Sequence, residues 1–271
     1  MIEEQKGAAE AESLLEDLGF DTLPICPRSV VGAISCDEFN VVMEEHSFNS
    51  DKILGTAVGN DKGALIYLNA NIPDPGRMKF TAAHENGHVS MHIMPQLKMS
   101  FECGSREFSS PYNDPVEKQA NGFASGLLMP RALIKKHRHC NVNWSDISAI
   151  SELCGASLEA TYRRLSFLEK APSAMLIHHN GQFKRFVTSE NFDFFIDQTP
   201  LSGYQKSLMV DVKEDPYPAT FDTLDASDWV NPYSKGTTLK SIYSSTILLN
   251  DGFTYTLLSY DDDCIAEKRE F

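Results

Sequence analysis

The chain has 271 residues, enough for one large domain or two small ones, and its 42% hydrophobic and 23% charged residues are ordinary for a globular protein. No apolar run approaches the roughly 18 to 20 residues that span a bilayer. Residues 1–5 lack the basic and apolar regions of a secretory signal, so we expect a cytoplasmic protein. The net charge of −14 disfavours general nucleic-acid binding and suits a basic partner, although it also serves solubility.

The six cysteines do not indicate a metal site of their own. They form no C-x-x-C pair and no zinc-ribbon spacing. In a chain without a secretory signal, we expect reduced thiols that mostly fill the core.

The first seventy residues predict two helices and a β-hairpin. Apolar residues recur at helical spacing over 5–18, and Gly19 can close that helix. A short helix is expected over 29–34, with Ser29 as its N-cap. Two apolar runs around a turn at 60–63 predict a hairpin over 54–71.

Helices dominate the middle of the chain. The pattern predicts a helix over 77–93, ended by Pro95, and then an irregular segment over 96–113. Asp114 and Pro115 favour the start of another helix, because Asp caps well and Pro fits the first helical position. The remaining helices are expected at 115–129, at 131–137, and as a pair within 145–168 that breaks at Gly155 with helix-turn-helix spacing.

After Pro172 the sequence pattern predicts strands instead of helices. Hairpins are predicted around 180–181 and around 250–252, both of which contain Asn or Asp and Gly. A helix is expected over 191–196, and its three phenylalanines are expected in the core. We place a domain boundary near residue 171.

Residues 84–88 read H-E-x-x-H and point to metal chemistry. His84 and His88 lie one helical turn apart, so their imidazoles can converge on one ion. Zinc accepts neutral imidazole nitrogen and carboxylate oxygen, and a catalytic zinc keeps one position for water. Glu85 follows the first ligand and would reach that water as general base. Eight histidines in 271 residues make a chance match rare, which weighs against two helix histidines with ordinary hydrogen bonds.

The third ligand distinguishes subclasses. The metzincin motif needs Gly at 91 and His at 94, and the chain has Met91 and Met94. His92 continues the i+4 series, but three such side chains fan around a helix, so we place it beside the ligands. Glu117 on the next strong helix can complete a His₂Glu site, yet with Asp114 it also matches a capping box. Spacing alone leaves both roles open.

Asn121 lies one turn after Glu117 on the same helix face. It would orient Glu117 by a hydrogen bond, unless it is an ordinary polar residue of the helix.

Two stretches carry a resemblance to a known family. They are 77–88 (R-M-K-F-T-A-A-H-E-N-G-H) and 117–130 (E-K-Q-A-N-G-F-A-S-G-L-L-M-P). Together they resemble the ImmA/IrrE family of metallopeptidases, whose pattern is close to R-x-x-F-T-x-A-H-E-x-G-H and, later, E-x-x-A-N-x-F-A-x-x-L-L-M-P. The likeness extends over roughly residues 8–168. Asn86 replaces a commoner apolar residue and Gly126 a better helix former, and neither is a proposed ligand.

The resemblance implies an architecture and assigns Glu117 as the third ligand. The expected fold is α+β: a zincin-like helical metallopeptidase core with a small β-hairpin or sheet, a helix-turn-helix-like segment, and a smaller α/β C-terminal domain. That last domain would be a reduced or divergent form of the GAF-like sensory domain that some relatives carry. The corresponding ranges are 1–140, 141–171 and 172–271.

The resemblance also implies a function. A zinc-dependent endopeptidase would cleave a helix-turn-helix transcriptional repressor and so derepress stress or mobile-element genes. An edge strand of the 54–71 hairpin would hold the substrate by strand addition. The His₂Glu set favours zinc and also accepts manganese.

Two alternatives stay open. Residues 145–168 could read DNA, although Arg163 and Arg164 are offset by Glu159 and Glu169, whereas a phosphate-tracking element should be basic. The other alternative is a metal-bound but catalytically silent regulator whose C-terminal domain senses a ligand.

Overall fold

A computed structural model describes residues 2–50, 52–104, 114–139, 141–169, 171–213, 217–218 and 220–266. The fold is mixed α+β, with helices and several sheets, as expected. Two compact units are present, Met1–Lys136 with Glu152–Ser157 and His137–Ser151 with Leu158–Phe271. The three-part division by sequence stays a prediction. Among the described helices, none has the length and apolar character needed to cross a membrane.

A four-stranded sheet forms one layer of the first unit. Its strands are β1 (Asn40–His46), β2 (Ile53–Asn60), β3 (Gly63–Asn69) and β4 (Ser100–Gly104), in the order β1-β3-β2-β4. β1 is parallel to β3, and the other neighbours are antiparallel. On β3, Ala64, Ile66 and Leu68 are buried while Leu65 is exposed, the alternation expected of a strand with one face on the core.

The structure corrects two expectations about this sheet. The predicted hairpin is confirmed as β2 and β3, but both strands are interior, so neither is an edge strand. The edges are β1 and β4. The prediction of an irregular segment is wrong for 100–104, which pairs with β2, and residues 105–113 lie outside the described residues.

The first unit also contains five helices and two short turns in its described residues. They are α1 (Ile2–Asp17), α2 (Pro27–Ile34), α3 (Pro75–His88), a π-helical turn (Val89–Ile93), α4 (Pro115–Leu128) and α5 (Arg131–Ile134), with a 3₁₀ turn at Lys135–His137. Asp74 and Asp114 cap α3 and α4 by accepting backbone N–H groups, and each is followed by Pro at the first helical position. The start of α2 is different from the prediction, because Cys26 rather than Ser29 is its N-cap residue.

Small residues let α1 pack closely on α4. A Cβ added at Gly122 would lie 2.1 Å from the carbonyl oxygen of Glu4, and one at Gly126 would lie 2.6 Å from that of Ala8. Gly126, a departure from the family pattern, is therefore explained by helix packing. This contact fixes α4, the helix that carries Glu117.

The second unit is built on a six-stranded sheet. Its order is β6-β5-β12-β11-β7, and β8 also pairs with β11. The two predicted hairpins are confirmed as β5/β6 and β11/β12. The elements are α6 (Trp144–Cys154), α7 (Leu158–Leu168), β5 (Ser173–His179), β6 (Gln182–Thr188), α8 (Gly203–Ser207), β7 (Val210–Asp211), β8 (Asp222–Asp225), β9 (Tyr233–Ser234), β10 (Thr237–Thr238), β11 (Ser241–Leu248) and β12 (Phe253–Ser259).

The predicted helix over 191–196 is wrong. Phe192, Phe194 and Ile196 are buried in the core of this unit, whereas Asp193 and Phe195 between them are exposed. This alternation has a period of two and belongs to an extended chain. Phe195, with 75% of its surface exposed, is consequently not a core residue.

The packing of α1 on α4 can be tested with one added methyl group. Gly122→Ala should lower the free energy of unfolding by about 1 to 3 kcal/mol, because the new Cβ overlaps the backbone of α1. Urea unfolding followed by circular dichroism measures the change. Gly32→Ala in α2 is the matched control, since its Cβ meets no atom within 4 Å and should stabilise by about 0.5 to 1 kcal/mol. Equal stability of Gly122→Ala and the wild type would contradict the packing account.

Candidate metal centre

The H-E-x-x-H segment lies in the last two turns of α3, where every side chain is buried. His84 and His88 are fully buried, and their Nε2 atoms are 3.0 Å apart. The i, i+4 spacing aims both rings in one direction, as the sequence predicts. Such a close pair of neutral nitrogens favours a cation between them.

Glu117 joins the two histidines from the first turn of α4. Its Oε2 lies 3.2 Å from Nε2 of His84 and 3.5 Å from Nε2 of His88. Gly87 allows α3 to approach α4 this closely, because a Cβ there would lie 2.9 Å from Cβ of Phe123. Asp114 caps the helix by accepting the N–H of Val116, while Oε2 of Glu117 faces the histidines and not the helix start that the capping box would require.

A fourth ligand type stands at the same point. Cys103 on β4 is buried, and its Sγ is 3.4 Å from Nε2 of His88 and 4.0 Å from Oε2 of Glu117. One ligand atom from each of His84, His88, Cys103 and Glu117 lies within 4.8 Å of the others. No C-x-x-C or C/H spacing marks Cys103 in the sequence, so no pattern would have selected it.

The separations fit a metal ion. Around a tetrahedral zinc, the bond lengths place N, O and S ligand atoms about 3.3 to 3.6 Å apart. The distances lie near that range: five of the six pairs of ligand atoms are 3.0 to 4.0 Å apart, and all four atoms lie within 4.8 Å of one another. The mixture of imidazole, carboxylate and thiol donors is also zinc-like. The residues present therefore fit a bound metal.

The protonation of His88 follows from a chain of hydrogen bonds. The carboxylate of Glu3 can only accept, so Gln119 donates its Nε2–H to it and turns Oε1 toward His92. Oε1 then accepts from Nε2 of His92 at 2.9 Å, which leaves Nδ1 of His92 to accept from Nδ1 of His88 at 3.2 Å. In the neutral tautomers this leaves the Nε2 lone pair of His88 for a metal.

His84 is oriented in the same way by Asn121. Its Nδ1 lies 3.1 Å from Oδ1 of Asn121, an amide acceptor on α4. With the proton on Nδ1, Nε2 presents its lone pair to the cluster. Asn121 therefore orients His84, whereas its position on the helix predicts a contact with Glu117.

The pKa shifts of His88 and Glu117 favour the protonation states in which these side chains bind a metal. Burial lowers the pKa of His88 to about 3, so its ring is neutral at physiological pH. Burial alone would raise the pKa of Glu117, but its contacts with the His84 and His88 rings outweigh burial and hold that pKa far below the usual range. Metal ligands must be deprotonated, and both side chains already are.

Glu85 is a buried carboxyl beside the cluster. Burial raises its pKa, the Cys103 thiol lowers it and the charge of Glu117 raises it, and together they bring the pKa to about 8. Neither carboxyl oxygen has a hydrogen bond of good geometry. Gly55 on β2 makes room for it, because a Cβ there would lie 2.5 Å from Oε1 of Glu85. An uncompensated buried acid of this kind needs a partner such as a water molecule.

Two other predicted features are placed by the structure. His92 is 3% exposed and lies on the π-helical turn, next to His88 rather than among the four clustered ligand atoms. Asn86, the other departure from the family pattern, donates its Nδ2–H to the carbonyl of Pro27 at 3.0 Å and so ties α3 to the start of α2.

The domain that carries this cluster matches a known family. The family model described as Peptidase_M78, the IrrE N-terminal-like domain, matches residues 36–166. That domain is therefore one of the ImmA/IrrE family of metallopeptidases. The resemblance seen in the sequence is thereby confirmed.

Solved structures support the fold. A Mycobacterium tuberculosis transcriptional regulator is similar with a TM-score of 0.54 and 15% identity, over 93% of this chain and 75% of that chain. At this identity the likeness concerns the fold alone. A search of curated proteins found no match.

The hydrogen-bond chain behind His88 predicts a loss of metal affinity. His92→Ala removes the group that accepts from Nδ1 of His88, so zinc affinity should fall about 10- to 100-fold. Competition with a chromophoric chelator measures it. The control is His46→Ala, which changes an exposed histidine on β1 and should leave affinity unchanged. Unchanged affinity in His92→Ala would exclude a supporting role.

Proposed function

We propose that the chain is a zinc-dependent endopeptidase in which His84, His88 and Glu117 hold the metal and Glu85 is the general base. One observation carries the proposal: three ligand atoms from two helices converge within 3.5 Å of one another beside Glu85, a buried carboxyl whose oxygens make no hydrogen bond of good geometry. Structural ion pairs rarely leave such an acid uncompensated.

The chain's own residues supply the proton transfers. A zinc ion bound here would polarise the scissile carbonyl and lower the pKa of a water molecule toward about 7. Glu85 takes a proton from the attacking water and later passes it to the leaving amine. Its raised pKa makes the Glu85 carboxylate a stronger base than that of an ordinary glutamate, so it can accept the proton and keep it until the amine leaves. Asn121 and His92 keep the two imidazoles in the tautomers that free their Nε2 atoms.

The edge strand β4 is the proposed place for the substrate. It ends the four-stranded sheet and lies beside α3, since Phe101 stacks on His88 with ring centroids 4.0 Å apart. An extended peptide can add to such an edge by main-chain hydrogen bonds. This role replaces the one expected for the 54–71 hairpin.

The proposed substrate is a helix-turn-helix transcriptional repressor in the cytoplasm, whose cleavage derepresses stress or mobile-element genes. This finer claim rests on the family and on the name of the similar regulator, and the net charge of −14 suits a basic repressor. The zincin-like description of the core and the GAF-like, sensory description of the C-terminal domain belong to the same proposal. Manganese remains a second metal that the donor set accepts.

Direct DNA binding by this chain has less support. On α7, Arg164 is buried with 2% of its surface exposed. Arg163 and Arg185 both bind the carboxylate of Glu159, at 2.9 Å and 2.6 Å. Basic side chains engaged in this way are poorly placed to track phosphates. The next experiment distinguishes a peptidase from the other alternative, a regulator that binds the metal without catalysis.

Glu85→Gln tests the enzymatic role. The variant keeps the shape of the side chain but cannot accept the proton, so cleavage should fall about 10²- to 10⁴-fold with the metal content unchanged. New protein N-termini are labelled and identified by mass spectrometry after incubation with a proteome extract of the source organism. Glu10→Gln, which changes an exposed acid on α1, is the control and should behave as wild type.

The same experiment names the substrate. A helix-turn-helix repressor cut by the wild type and not by Glu85→Gln would support the finer claim. Equal cleavage by Glu85→Gln would remove Glu85 from the mechanism, and absence of new N-termini with zinc-loaded wild type would favour the silent regulator.

A further inference from the structure

We infer that Cys103 is a fourth, displaceable protein ligand of the metal and holds the site in a closed form. The inference rests on the proposed function, because it adds a ligand to the same His₂Glu site. It deepens that function, because the fourth position on the metal, which an attacking water would need, is assigned to Cys103.

The first argument is the position of the thiol. Its Sγ lies 3.4 Å from Nε2 of His88 and 4.0 Å from Oε2 of Glu117, and all four ligand atoms fall within 4.8 Å. A zinc ion at ordinary bond lengths from the histidines and Glu117 would be within reach of that sulfur, for which a Zn–S bond is about 2.3 Å. The cluster contains two histidines, a carboxylate and a thiol, so its donor set is complete for a tetrahedral ion.

The second argument is how β4 aims the residue. Phe101 and Cys103 are buried while Glu102 between them is exposed, so alternate side chains of β4 face α3. Phe101 stacks on the ring of His88, which fixes the distance between strand and helix. The partner of Cys103 on β2 is Gly55, next to a register shift that begins at Ile53. Irregularities of this kind redirect side chains and are common beside active sites.

The third argument is competition with water. The water that Glu85 would deprotonate must touch both the metal and the Glu85 carboxyl. Cys103 is the neighbour of His88 and Glu117, and it also interacts with Glu85. The thiol and the attacking water would therefore compete for the same position on the metal. Sites with four protein ligands are closed, and catalytic zinc sites keep one position open.

A role as a core residue is the competing explanation. Cys103 belongs to an apolar cluster with Val89, Ile93 and Phe101, and a small buried thiol can fill such a core without binding metal. Packing predicts no sulfur in the coordination sphere and no effect of removing the thiol on cleavage. Ligation predicts a sulfur ligand and a change in cleavage when the thiol is removed, so an experiment can distinguish the two explanations.

The test is zinc X-ray absorption of the full chain with one equivalent of zinc. Wild type should show one sulfur at about 2.3 Å beside nitrogen and oxygen ligands. Cys103→Ser and Cys103→Ala should lose it, and Cys26→Ser, which changes an exposed thiol, should keep it. Cobalt loading gives a second readout, because a thiolate-to-cobalt charge-transfer band should appear in wild type and vanish in both Cys103 variants. The wild-type spectra decide the ligation even if a variant misfolds.

Each outcome has one meaning. Sulfur ligation lost with Cys103, together with faster cleavage of the extract by Cys103→Ala, supports the inference. One bound zinc with only nitrogen and oxygen ligands overturns it and leaves the proposed function standing. Sulfur ligation with no gain of cleavage in Cys103→Ala overturns the closed form. Failure of wild type to bind zinc overturns both the inference and the proposed function.

Discussion

The close approach of α3 to α4 is the constraint on which the site depends. His84 and His88 are paired by the geometry of one helix, but Glu117 reaches them only because Gly87 faces α4 without a side chain. On the opposite side of α4, Gly122 and Gly126 let α1 pack just as closely. Three helices at backbone contact hold the carboxylate in place, so the ligand geometry is a property of the packing rather than of flexible side chains.

Burial of the site then shifts the pKa values of its side chains. Inside the unit, burial lowers the pKa of His88, contacts with the two histidines lower the pKa of Glu117, and burial raises the pKa of Glu85. The pKa values of the two neighbouring carboxyl groups are thus shifted in opposite directions, the pattern that distinguishes a metal ligand from an acid–base group. Hydrogen bonds that Asn121 and His92 accept from His84 and His88 fix the tautomers, and the chain through Gln119 ends at Glu3 on the first helix.

Local sequence rules predicted what local geometry determines. The two strong helices, the hairpins and the H-E-x-x-H pair depend on periodicity, caps and turns within a few residues. The predictions failed where tertiary contacts decide: β4 forms because β2 offers an edge, and the 191–196 segment is extended because Phe192 and Phe194 enter the core on alternate residues. Cys103 carries no pattern at all, and only the pairing of β4 with β2 brings it to the histidines.

The metal content of the purified chain tests the central claim most directly. Elemental mass spectrometry of the wild type, His88→Ala and Glu117→Ala after dialysis against a chelator compares the three proteins. The account predicts about one zinc per wild-type chain, lost or strongly reduced in both variants, since each removes one atom of the buried cluster. Full zinc retention in Glu117→Ala would contradict the assignment of the third ligand, and absence of metal from the wild type under every loading condition would contradict the metallopeptidase account.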